Sequence, residues 1–211
     1  MFERLKGNKV FDLNVHASYF NGAAEKGPLI MLKTLFKKRT AQGVGDTLYG
    51  AAVAQARQAA FYARLGVDDR IDARFELYTL HVLLLILRLR DEPGERGGQE
   101  RGAEVGQSLF DVYVSSLDHA LRELGVGDVS MARKMRSLGE ALYGRMTAYE
   151  APIRAGDAES LAQALARNVY AVEDSATAAP LADYALRARA ALADQSFDAL
   201  LAGPQWPEII A

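Results

Sequence analysis

LDHALRELGVGDVSMARKMRSLGEALYGRMTAYE, residues 117–150, decides the fold, because two runs of helical period meet there across a turn punctuated by glycine. Leu117, Leu121 and Leu124 recur at spacings of four and three, as on a helix with one buried face, and Asp118 with Arg122 forms an i,i+4 pair on its flank. Gly125 then ends that helix, since a glycine can take the left-handed conformation that satisfies the last carbonyls without a Cβ clash. Gly127 and Asp128 continue the turn, and Ser130 is expected to cap the next helix. That second helix buries Met131, Met135, Leu138, Leu142, Met146 and Tyr149. Its other faces carry Arg133, Lys134, Arg136, Glu140, Tyr143 and Arg145, with Arg136 and Glu140 spaced as an ion pair. Gly139 and Gly144 lie inside it, each costing about 1 kcal/mol relative to alanine, and they admit close approach of a neighbouring backbone.

Working outward, the same helical period repeats along most of the chain. Helices are predicted at 47–65, stopped by Gly66, and at 72–90, followed by the glycine-rich, charged connector EPGERGGQERG, expected to be mobile. Further helices are predicted at 104–124, at 131–154 with Pro152 bending or ending it, at 158–172 capped by Asp157, and at 181–193 after Pro180. Ser196 caps a short last helix, and residues 204–211, with Trp206 and Pro207, lack a helical period and read as an extended strap. No segment sustains the two-residue alternation of a strand and no internal repeat is present, so the predicted class is all-α, a single-domain bundle of about six to seven helices. The expected organisation is a weakly ordered segment at 1–45 followed by a helical domain at 46–211.

Composition narrows the functional classes. With 25 Lys and Arg against 27 Asp and Glu, the net charge of -2 argues against a general nucleic-acid binder, and no specific DNA partner is expected. The absence of cysteine excludes disulfides, thiolate metal sites and thiol redox chemistry. Val82 to Leu87 is the most hydrophobic run, six consecutive apolar residues, whereas a membrane span needs about 20. Such a helix, apolar nearly all round, belongs at the centre of a bundle. The three histidines lie in unrelated contexts without metal-ligand spacing, and His81, among Leu80, Val82 and Leu84, reads as a hydrogen-bonded core residue. With no phosphate loop, metal set or paired carboxylates, neither an enzyme, a cofactor, a metal nor a small-molecule substrate is expected.

The central motif also carries a resemblance. Asp118, Leu121-Arg122-Glu123, Gly125-Val126-Gly127-Asp128, Lys134, Met135, Tyr143-Gly144-Arg145 and Ala148-Tyr149 resemble the signature of the ubiquinol–cytochrome c chaperone family, assembly factors of the respiratory bc1 complex in alphaproteobacteria and mitochondria. LYGAAVAQARQAAFYARLGVDD at 48–69 and DARFELYTLHVLLLILRLR at 72–90 resemble the family's first two helices, so the likeness spans roughly residues 48–170. Ala132, where the family pattern has valine or proline, and the run of leucines in the second helix depart from it. The resemblance implies a bacterial chaperone that transiently binds newly made cytochrome b or other bc1 subunits at the cytoplasmic face of the inner membrane. Its implied partner surface comprises Asp118, Arg122, Glu123, Asp128, Lys134, Arg136, Tyr143 and Arg145, presented around the turn formed by Gly125 and Gly127. Glycines inside the second helix of the motif would then serve internal packing or a docked client helix.

Near the N-terminus, MLKTLFKKR gathers Lys33, Lys37, Lys38 and Arg39 beside Leu32, Leu35 and Phe36, a small basic amphipathic segment suited to an anionic bilayer or to the ribosome. Because Met31 opens it much as bacterial family members begin, residues 1–30 are expected to be an upstream extension or a mis-assigned start. Two alternatives come from other classes. A small helical enzyme would gather Arg145, Tyr143 and His81 or His119 in one pocket, and a structural subunit of a membrane complex would be bound permanently.

Overall fold

The most apolar segment of the chain becomes the axis of an all-α fold. The computed structural model describes residues 43–93, 96–123 and 127–210, and the regular elements among them are helical. In chain order they are α1 (residues 43–56), α2 (Ala59–Ala63), α3 (Ile71–Arg90), α4 (Arg96–Glu123), α5 (Asp128–Ala155) and α6 (Ala158–Leu165). A π-helical turn (Ala166–Tyr170) and a 3₁₀ turn (Ser175–Ala178) lead to α7 (Ala179–Ala193) and α8 (Phe197–Ala202). The basic segment with Lys33, Lys37, Lys38 and Arg39, and the turn glycine Gly125, lie outside the described residues.

α3 is the central helix, as its composition requires. Every residue from Thr79 to Leu89 is buried, and α4, α5, α7 and the π-helical turn pack around it. Burying each of Leu80, Leu83, Leu84, Leu85 and Leu87 contributes about 1.5–3 kcal/mol relative to exposure, so this one helix supplies a large part of the stabilising apolar contact. Among the described residues no helix is long and apolar enough to cross a membrane.

The predicted first helix is broken. α1 ends at residue 56, Gln58 takes an extended conformation (φ -58, ψ 127), and α2 restarts the chain in a new direction. The gain is the placement of Phe61, fully buried, with its ring edge-on to His81 at 5.3 Å and to Tyr184 at 4.9 Å. Aromatic pairs of this kind contribute roughly 0.5–1.5 kcal/mol beyond area burial, enough to outweigh the few hydrogen bonds lost at the break.

The expected mobile connector is mostly helix. α4 begins at Arg96, so Gly98 and Gly102 lie within its first two turns. A Cβ on Gly102 would stand 2.2 Å from the carbonyl oxygen of Leu89, which shows how closely the start of α4 passes the end of α3. Gly45 does the same for α1, where a Cβ would meet the Ser108 backbone at 2.9 Å. Close backbone approach, rather than looseness, is what these glycines serve.

Later elements follow the sequence more closely. Pro152 does not end α5, which runs to Ala155 and closes on Gly156 in the left-handed conformation (φ 68). Asp157 caps α6 by accepting from the Ser160 amide at 3.0 Å, and Ser196 caps α8 by accepting from the Ala199 amide at 3.3 Å. The helix predicted to continue to residue 172 instead widens into the π-helical turn, where Tyr170 donates its hydroxyl to the Leu65 carbonyl at 2.8 Å. Arg88, buried on α3, closes the other end of α7 by donating to the carbonyls of Leu192 and Gln195 at 2.9 and 2.8 Å. The tail is an extended strap, with Ile209 buried, Trp206 edge-on to His81 at 5.1 Å, and Gln195 and Gln205 exchanging hydrogen bonds.

Candidate functional site

α4 and α5 extend the motif of residues 117–150 beyond the main core. Leu117 and Met146 still pack against that core, whereas Leu121, Met135 and Leu138, expected to be buried, are only half-buried and stand outside it. Met131, Leu142 and Tyr149 are buried as the period requires. An amphipathic helix with only part of its stripe covered leaves apolar area near the hairpin end for a partner.

The turn's second half differs from expectation in one detail. Gly127, extended at φ -69 and ψ 153, is the residue before α5, and Ser130 sits inside the helix with its hydroxyl donating to the Gly127 carbonyl at 2.9 Å. The helix starts earlier because the glycine carbonyl accepts the first helical hydrogen bonds, from the amides of Ser130 and Met131.

Most of the implied partner residues are exposed, and they lie on both helices of the hairpin. Asp118 accepts from Arg122 Nε at 2.8 Å, the i,i+4 pair read from the sequence, and Glu123 is exposed beside them. Lys134, Arg136 and Tyr143 are exposed on α5, Tyr143 at 53% of its surface. An exposed pair of this kind contributes little to stability, so these side chains are available to bind without weakening the fold. The side chain of Asp128 lies outside the described residues. Arg136 and Glu140 do not form the expected ion pair with each other.

Arg145 departs from the expectation. Its Nη2 lies 2.6 Å from Glu76 Oε1, its Nε donates to the same carboxylate at 2.7 and 2.9 Å, and its Nη1 donates to the Ala141 carbonyl. Glu76 sits on α3 with a side chain 3% exposed, and the Arg145 guanidinium also stands over the Phe75 ring at 5.9 Å. Burial pushes the Glu76 carboxyl above its ordinary range, and the hydrogen bond from Arg145 opposes that shift. Arg145 is therefore an internal clasp between α5 and α3. The sequence reading missed Glu76, although its position between Ala73 and Leu80, beside Leu77, puts it on the buried face of α3.

Gly139 and Gly144 also depart from the internal-packing expectation, since a Cβ at either would meet nothing within 4 Å. Both are exposed, next to Glu140 and Tyr143, and, five residues apart, they face different sides of α5, about 140° from one another. The pocket needed for the enzyme alternative is not assembled. His81 is fully buried, His119 is exposed on α4, Tyr143 points outward and Arg145 is held by Glu76. His81 is the core histidine the sequence indicated, with Nδ1 2.7 Å from the Leu77 carbonyl and Nε2 2.9 Å from the Tyr184 hydroxyl. Among the described residues no group of three or more potential ligands could hold a metal ion.

Comparison with known proteins agrees with the motif. A family model described as ubiquinol–cytochrome C chaperone matches residues 63–206. Among solved structures, the chain is similar to the Cbp3 homolog from Brucella abortus, with 33% sequence identity and a TM-score of 0.70, over 85% of this chain and 97% of that one. A search of curated proteins gave no match.

Proposed function

Since the chain belongs to the ubiquinol–cytochrome c chaperone family, we propose that it is a non-enzymatic assembly chaperone of the respiratory bc1 complex and that it holds newly made cytochrome b on the α4–α5 hairpin. The observation that carries this reading is the hairpin itself. It combines half-covered apolar residues (Leu121, Met135, Leu138) with exposed Lys134, Arg136 and Tyr143, the mixture of aromatic, cationic and apolar groups that transient interfaces use. A client helix with an apolar face would lie against Leu121, Met135 and Leu138, its rim held by the basic side chains.

The double substitution Lys134→Glu with Tyr143→Ala tests the surface. Both residues are exposed, so each change is expected to alter stability by no more than about 0.5 kcal/mol. Cells carrying it should contain normal amounts of the folded variant but little assembled bc1 complex, and crosslinks from the hairpin to cytochrome b should disappear. Normal assembly in these cells would remove the hairpin from the proposal. Normal assembly in a strain lacking the chain altogether would remove the function as well. A permanent structural subunit would instead co-purify in equal amounts with the finished complex.

The basic segment extends the proposal to a place of action, the cytoplasmic face of the inner membrane or the ribosome. Roughly 1 kcal/mol per basic residue is available near an anionic surface. Replacing Lys33, Lys37 and Lys38 by glutamate should release the protein from anionic vesicles or ribosomes in a sedimentation assay, and salt should weaken the wild-type association. Sedimentation indifferent to both charge and salt would count against it.

A further inference from the structure

About 30 Å along α5 from Lys134, where its last turn meets α7, lies a groove of about 440 Å³ lined by Ile153, Arg154, Leu186, Arg189, Ala190 and Ala193. The ion-pair network that includes its two arginines, Arg154 and Arg189, does not balance one for one. Arg88 pairs with Glu92 at 2.6 Å, Arg90 with Glu150 at 3.1 Å, Arg154 with both Glu150 and Asp91 at 2.9 and 3.0 Å, and Arg189 with Asp91. Four guanidinium groups thus share three carboxylates, which leaves one positive charge over. Arg189 is the member least provided for. Its side chain is 19% exposed, and its Nη1 is buried without a hydrogen-bond partner among the described residues. Burial pulls its pKa below the usual arginine range, against the pull of Asp91, and Arg154 and Arg88 add to the lowering. Nη1 has no accessible surface of its own, so an anion in the groove meets it only once the Arg189 side chain turns outward, an exchange that relieves a donor costly to leave unmatched.

We propose that this groove binds a monoanionic carboxylate carrying a short apolar body. One surplus charge matches a carboxylate better than a dianionic phosphate monoester, and the planar guanidinium fork suits the carboxylate's two oxygens. The remaining wall is hydrocarbon, with Ile153 buried, Leu186 half-buried, and Ala190 and Ala193 exposed on the α7 side. These small residues leave room for a short chain along an open groove. Such a carboxylate could be a free acid or the C-terminus of a peptide that ends in an apolar residue. Both present the same chemistry to Arg154 and Arg189.

Titration of the full-length protein with hexanoate and with hexanamide, followed by ligand-observed NMR, tests the charge requirement. Hexanoate is expected to bind and hexanamide to bind at least about tenfold more weakly, as would follow from losing a charge-assisted contact. Arg154→Gln should weaken hexanoate at least about tenfold. Ala190→Glu, a change at an exposed helical position that leaves all four arginines in place, should do the same by supplying a competing carboxylate, with the melting temperature confirming the fold of each variant. N-acetyl-alanyl-leucine and its amide form a second arm. An acid that binds more tightly than hexanoate while its amide does not bind supports the site with a peptide terminus as occupant, and hexanoate binding the more tightly supports it with a free acid. Equal binding of hexanoate and hexanamide, no binding of either, or an unaffected Arg154→Gln would overturn the proposal.

Discussion

Arg145→Ala is expected to destabilise the protein by about 3–5 kcal/mol, the range for removing one partner of a buried ion pair. Glu76, 3% exposed in the intact protein, loses the guanidinium that donates to both its oxygens. The lost attraction is the smaller part of this. Most of the cost is the stranding of a charge against the α3 core, which protonation relieves. Urea denaturation of the single variant and of Glu76→Gln with Arg145→Gln separates the two parts. The double variant should recover a large share of the loss, because two neutral amides can share a hydrogen bond without a buried charge. A single-variant loss under about 1 kcal/mol would show that Glu76 finds water or another donor. The same reasoning makes Arg145 a poor probe of client binding, since its removal loosens α5 on α3 before any surface is tested.

This clasp bears on how the hairpin is presented. α5 is a single helix from Asp128 to Ala155, packed through Tyr149 and Ile153 at one end and exposed over most of its first half. Arg145 ties it to α3 near the point where the buried stripe thins out, so the direction of the projecting half is set by an interaction with the central helix. A rigid, pre-aimed surface loses less conformational freedom on binding than a flexible one, which suits a chaperone that must hold and then release its client.

How much of this could be read from residues alone depends on the range of the interaction involved. Caps at Asp157 and Ser196 are local, and so is the apolar run Val82–Leu87 of α3; both are visible in the sequence and both are present in the structure. Gln58 is the opposite case. Nothing in QARQAAFYA marks a break, because the break is decided by rings of His81 and Tyr184 that lie far away in sequence. The stretch before Gly102 reads as loose by composition, yet Gly102 serves close packing on Leu89, a fact that only the partner helix reveals. Within the site, exposure of Lys134, Arg136 and Tyr143 follows from helical period, and so would the burial of Glu76 had its spacing been weighed against its charge. The pairing of Asp91 with Arg154 and Arg189, across 63 and 98 residues, has no local signal at all.

His81 yields the second large effect, confined to a definite pH range. Its ring is fully buried, touched by Phe61, Tyr184 and Trp206, and hydrogen-bonded to the Leu77 carbonyl and the Tyr184 hydroxyl, all of them uncharged. With Nδ1–H donating to the carbonyl, Nε2 accepts from Tyr184, whose oxygen in turn accepts from Gln55 Nε2 at 3.0 Å. That chain requires the neutral imidazole. Burial lowers the His81 pKa from 6.5 to about 4, with the Leu77 hydrogen bond opposing the shift. The unfolded chain therefore binds a proton between these two values while the folded protein does not. Stability from this group is complete above pH 6.5 and is lost as the pH falls towards about 4, by about 3 kcal/mol in total. His81→Gln keeps a polar group but removes the titration. The difference in unfolding free energy between wild type and this variant, measured by urea denaturation at pH 7 and at pH 4, should shrink by that amount in acid, with the wild type losing ground. A difference that stays constant across the range would mean that the imidazolium is accommodated in the core, and the neutral hydrogen-bond chain from Gln55 to Leu77 would then be wrong.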